Sequence, residues 1–134
     1  MPSIVRGSIV WAALRGPDGE LILDSDENPK ERPAVVLSNA EDIASGRPLV
    51  VAAISTQFNL ASLPSHWHKV PSQPGGHPET GLDQPCVVKA DWLAKIEQND
   101  IDTSRVSPQP LSSSIVRQIL NWLRQRRADS EAES

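Results

Sequence analysis

Cysteine is nearly absent from this sequence, Cys86 being the only one in 134 residues. A lone thiol forms no internal disulfide, and its use fits a reducing compartment. Long apolar runs are missing too. No stretch approaches the ~20 residues that cross a bilayer. The opening Met1 to Arg6 carries no signal-peptide apolar region, so a cytoplasmic chain with no membrane partner is expected. An excess of positive charge is also lacking. Thirteen Lys and Arg against seventeen Asp and Glu leave a net charge of −4. That is the wrong sign for a protein that holds nucleic acid by bulk electrostatics, so any such chemistry must come from a local site. Phosphate-binding P-loops, dinucleotide glycine fingerprints and Gly-x-Ser-x-Gly elbows do not occur, which sets those enzyme classes aside.

What is present reads as one globular domain. Apolar residues make up 38% and charged residues 22%, and a chain of this length buries a core without staples. Twelve prolines against seven glycines favour many short elements with stiff connections over a long helical bundle. Ile9 to Leu14 predicts a buried strand, opened by Arg6-Gly7-Ser8. Arg15 to Glu31 reads as a polar, acidic loop expected to be mobile, with a turn expected at Pro17-Asp18-Gly19 and a short strand at Leu21-Ile22-Leu23. Pro33 to Ser38, Leu49 to Ser55 and Pro64 to Val70 give the next three strands, and Cys86 to Ala90 a fifth. Asp91 to Ile96 continues that strand or forms a short helical turn. Pro71 to Gly81 is irregular.

One helix is expected. Ser112 to Ser114 offer caps, and Ile115, Val116, Ile119, Leu120 and Leu123 recur at helical spacing, with Trp122 beside them packing on the sheet. The pattern predicts a mainly β fold, a small sheet or barrel with a carboxyl-terminal α-helix. Residues 1–128 would form the domain and 129–134 a disordered acidic tail.

Several side chains carry chemistry. His66 and His68 flank Trp67 at strand spacing. They read either as an acid–base pair beside a stacking surface or as a half-exposed strand with an aromatic anchor. A zinc site from His66, His68, His77 and Cys86 matches no structural-zinc spacing, so neither metal nor cofactor is expected. Cys86 lies in an apolar strand and reads as a small core residue.

Four blocks, in order, resemble the MazF/PemK toxin family. They are Arg6-Gly7-Ser8-Ile9-Val10, Glu31-Arg32-Pro33-Ala34-Val35-Val36-Leu37-Ser38-Asn39, Val51-Ala52-Ala53-Ile54-Ser55-Thr56-Gln57 and Gly81-Leu82-Asp83-Gln84-Pro85-Cys86-Val87-Val88. They span most of Arg6 to Val88. The resemblance implies an SH3-like barrel of the CcdB/PemK type, usually a homodimer. Its implied activity is metal-independent, sequence-selective cleavage of single-stranded RNA, held in check by a cognate antitoxin. The family's catalytic arginine and threonine fall on Arg32 and Ser55. The sequence departs from the family pattern at Ser8, at Ser55, in its longer acidic first loop, and in the tract Asp91-Trp92-Leu93-Ala94-Lys95, which lacks the family's arginine. Two alternatives stay open. One is a CcdB-like gyrase poison, although that group relies on a tryptophan at its very end and here the nearest is Trp122. The other is a barrel that binds a partner without catalysis.

RNA cleaves itself when its 2′-hydroxyl is aligned with the adjacent phosphate and the added negative charge is stabilised. Arg32 suits the second task, since a planar guanidinium bridges two phosphate oxygens. Read without the resemblance, it is a strand-edge arginine paired with Glu31. Ser55 would donate to the phosphate, or else cap a turn. If the strand stays regular to its end, alternation puts Ala53, Ser55 and Gln57 on one face and Thr56 on the other. Thr56, Gln57 and His66 are candidate substrate contacts. The acidic loop before Arg32 would limit non-specific RNA binding.

Overall fold

The computed structural model describes residues 4–15, 20, 21 and 31–133. Five strands form one antiparallel sheet: β1 (Ile9–Ala13), β2 (Glu31–Val36), β3 (Leu49–Ser55), β4 (Trp67–Val70) and β5 (Cys86–Ile96), in the order β1-β2-β3-β5-β4. The apolar runs of β1, of β3 and of Ala34 to Val36 in β2 are nearly continuous because the sheet is buried there on both faces. One face carries Ile9, Val35, Ala52, Ile54 and Val88. The other carries Val10, Ala12, Ala34, Val36, Val51, Ala53, Ala94 and Ile96.

β5 is a single bent strand. Opposite β3, Ile54 pairs with Val88 but Ala52 pairs with Leu93, so β5 carries a bulge between those partners. Before the bulge, β5 pairs with β4 from Val70–Cys86 to Trp67–Lys89. Asp91 to Ile96 therefore continues the strand and makes no helical turn. At its far end Lys95 exchanges two backbone hydrogen bonds with Arg15, at 2.7 and 2.8 Å. That bridge ties the end of β1 to β5. Among the described residues the ladder is otherwise open, so the small β fold is present without the continuous closure of a barrel.

Two helices complete the described fold, α1 (Ala40–Ala44) and α2 (Ser113–Glu133). Asn39 caps α1 by accepting the Asp42 N–H at 2.8 Å. In α2, Val116 and Ile119 are buried against the first face, with Ile115, Leu120, Trp122 and Leu123 packed beside them. This is the predicted stripe. The helix runs on through residues 129–133, the segment expected as a tail. Gly7 sits where α2 meets β2. At φ 97° its N–H donates to Val36 O and its carbonyl accepts from Leu111 N–H. A Cβ there would lie 3.3 Å from that of Pro110, so glycine is required.

The expected turn at Pro17-Asp18-Gly19, the strand residues Ile22 and Leu23 and most of the acidic loop lie outside the described residues. Leu21, within it, bridges to Arg15. No helix among the described residues is long and apolar enough to cross a membrane.

Candidate active site

The site is built where β2 begins and β3 ends. Arg32 extends the buried row of Ala34 and Val36, and Ser55 extends the row of Val51 and Ala53, by simple strand alternation. The pairing of β2 with β3 ends at Ala34 and Ala53, two places short of Arg32 and Ser55. A cleft of about 400 Å³ opens there, bringing together Arg32, Ser55, Thr56 and Gln57. Trp11, Ile54, Leu82 and Cys86, from the opposite face of the sheet, complete its apolar wall. Glu31, Asp83 and Gln84 add polar groups.

Arg32 has no ion pair or hydrogen bond among the described residues. Its Cζ lies 5.5 Å from the ring centre of Trp92. The neighbour expected to pair with it, Glu31, instead faces Arg105 at 4.0 Å. Arg105 in turn lies flat on Trp11, 3.6 Å above the ring. Arg32 pairs with Ala12 of β1 and lies beyond the stretch of β2, Ala34 to Val36, that pairs with β3. The Arg32 N–H groups are therefore open to an anion.

Ser55 is buried, and its Oγ accepts the Gln57 N–H at 3.0 Å. β3 stops at this residue, so alternation does not extend to Thr56 and Gln57. The expected separation of those two onto opposite faces gives way to a turn in which both are exposed and both line the cleft. The serine thus caps a turn and still has its own proton to donate. Cys86 is buried at the wall, and its thiol is pushed up to about 11, first by burial and then by the Asp83 carboxylate. A protonated thiol at neutral pH is no nucleophile.

His66 stands apart from this cleft. Its ring stacks on Trp122 of α2 with centres 4.4 Å apart, and its Nε2 is 3.6 Å from Asp91 Oδ2. Trp67 Nε1 donates to the other carboxylate oxygen of Asp91 at 2.7 Å, and Lys89 Nζ sits 4.1 Å above the Trp67 ring. The substrate contact expected of His66 has no geometric support at the cleft. Burial first, and His66 second, lower the pKa of His68. His77 Nδ1 accepts the Glu79 N–H. Among the described residues, no three His, Cys, Asp or Glu side chains gather as metal ligands.

Sequence reasoning missed Trp11, Trp92 and Arg105, whose roles depend on contacts between distant segments. It passed over Asp83 and Gln84, although both lie in the block Gly81 to Val88 and were within reach of a motif reading.

The fold is a small antiparallel sheet with a terminal helix, and one cleft at its end is lined by an arginine and a hydroxyl. The family model of the PemK-like, MazF-like toxin of type II toxin–antitoxin systems matches residues 5–126. The chain belongs to that family, and is a toxin whose system implies a cognate antitoxin as partner. No curated protein matches it.

Proposed function

We propose that this toxin is a metal-independent endoribonuclease that cuts single-stranded RNA, mRNA above all, in the cytoplasm. The observation that carries the reading is the cleft shared by Arg32, which has no carboxylate partner among the described residues, and the Ser55 hydroxyl. The RNA supplies its own nucleophile. Its 2′-oxygen attacks the adjacent phosphorus as its proton passes to a base, the bond to the 5′-oxygen breaks, and that oxygen takes a proton from solvent water, giving a 2′,3′-cyclic phosphate and a 5′-hydroxyl.

Arg32 neutralises the charge that builds on the phosphate oxygens, where a charge-assisted pair of hydrogen bonds is strongest. It does not act as the base, because its pKa exceeds about 12. Ser55 donates to the same phosphate. In this reading Asp83, a carboxylate that lines the same cleft, takes the 2′-hydroxyl proton. Thr56 and Gln57 contact the flanking nucleotides. The working unit is read as a homodimer, checked by its sedimentation mass.

The test is purified toxin with single-stranded RNA in the presence of a chelator. Discrete fragments with 2′,3′-cyclic phosphate ends are expected. Growth arrest on expression with every RNA left intact would overturn this reading and favour a gyrase poison, while no arrest and no cleavage would favour a non-catalytic binding module.

A further inference from the structure

Arg32 is held in an unusual way for a half-buried cation. Fixing a guanidinium with a carboxylate consumes part of its five-donor fork and neutralises its charge. Among the described residues no carboxylate does this. Glu31, adjacent in sequence, is turned to Arg105. What Arg32 does meet is the ring of Trp92. An aromatic face attracts a cation through its quadrupole and leaves the N–H edge of the fork untouched.

Trp92 is itself anchored. It is half-buried and packs against the cluster that contains Ala94 and Ile96, its row-mates on β5. It also lies in the bulged stretch, between Val88 and Leu93, where β5 leaves the register of β3. Bulges of this kind bend a strand and re-aim a side chain. Here the re-aimed side chain is a tryptophan reaching Arg32 from a strand that does not neighbour β2. Trp92 belongs to the tract in which this sequence departs from the family pattern.

We propose that Trp92 is a positioning residue for Arg32: its ring fixes the plane of the guanidinium while leaving the donors free for the scissile phosphate. The kinetic consequence rests on the ribonuclease reading above, whereas the geometric one does not.

Two measurements on the full-length protein separate them. In RNA cleavage, Trp92→Leu is expected to lower kcat about tenfold with KM within about twofold, since the lost placement matters in the transition state. Trp92→Phe, which keeps an aromatic face, should stay within about threefold of wild type. In an Arg32→Ala background, Trp92→Leu should cost nothing more.

In NMR spectra, the ring current should displace the Arg32 Nε–Hε resonance in wild type. Trp92→Phe should preserve much of that displacement and Trp92→Leu abolish it. Equal kcat losses in the Leu and Phe variants, an undiminished loss in the Arg32→Ala background, or an Arg32 resonance unmoved by Trp92→Leu would overturn the proposal. If wild type cleaves no RNA, the ribonuclease reading fails, and the resonance still decides whether Trp92 seats Arg32.

Discussion

Two regions of this protein combine aromatic rings with ionisable groups, and they differ in what is left over. Beside α2, His66, Trp67, Asp91 and Trp122 contact one another. The carboxylate takes the indole N–H and faces the imidazole, and the imidazole lies on the second indole. At the cleft, Arg32 rests on a ring that takes none of its hydrogen bonds, and Ser55 accepts one while having one to give. Residue type alone does not tell these regions apart. The difference is whether polar capacity is consumed inside the chain. The first arrangement joins α2 to the sheet, and the second is the one proposed above to take RNA.

The comparison breaks most readily at Arg32. Arg32→Ala should reduce RNA cleavage by roughly 10²- to 10³-fold, the usual cost of removing one stabiliser of a developing oxyanion, with little change in Tm. A variant that cleaves normally but melts early would place Arg32 in the wrong region.

Trp122→Ala should do the opposite. Losing a half-buried indole from the packing of α2 should cost about 2 kcal/mol in chemical denaturation, less than a fully buried one. Cleavage well below the melting transition should stay within about twofold, because no reacting group is touched.

Ser55→Ala sharpens the cleft side. Losing one hydrogen bond to a charged phosphate should slow cleavage about tenfold, and Ser55→Thr should restore it.

The Cys86 thiol gives a smaller, pH-dependent signal. Its folded pKa, pushed up to about 11, lies above that of the unfolded chain, about 8.5. Between those values the unfolded state loses a proton that the folded state keeps. Stability should therefore be full below about pH 8.5 and fall as pH rises toward 11. Denaturation midpoints measured across that range, in wild type and Cys86→Ala, check this, and the variant should lack the slope.

The smallest effect concerns selectivity. Neutralising Asp18, Glu20, Asp24, Asp26 and Glu27 should broaden the set of RNA sites cut without raising the rate at the preferred one. An unchanged cleavage map would show that this acidic segment does not restrain RNA binding.

Most of the fold was legible because the sheet is buried on both faces, so β1, β2 and β3 appear as unbroken apolar runs. Ile115 to Leu123 likewise spelled out the packed face of α2. β5 beyond Ala90 was ambiguous for a physical reason. A bulge and an exposed Leu93 spoil the two-residue period. α1 is one short turn-and-a-half with no buried residue, and only its Asn39 cap could have announced it. Arg32 and Ser55 were singled out through the order of the motif blocks, and both line one cleft. His66 drew attention by its spacing to Trp67 and His68, but its partners Asp91 and Trp122 come from later segments, and pairing across such distances leaves no local pattern. Thr56 and Gln57 were assigned to opposite faces because the end of β3 at Ser55 was not visible.

The central claim is that the Arg32 cleft cuts RNA through the substrate's own 2′-hydroxyl. The most direct measurement compares a cleavable RNA oligonucleotide with the same strand carrying a single 2′-deoxy sugar immediately before the cut, in chelator, for wild type and Arg32→Ala. Wild type should cut only the all-ribose strand, leaving a 2′,3′-cyclic phosphate, and Arg32→Ala should cut neither at a comparable rate. Equal cutting of the 2′-deoxy strand, or full activity in Arg32→Ala, would contradict it.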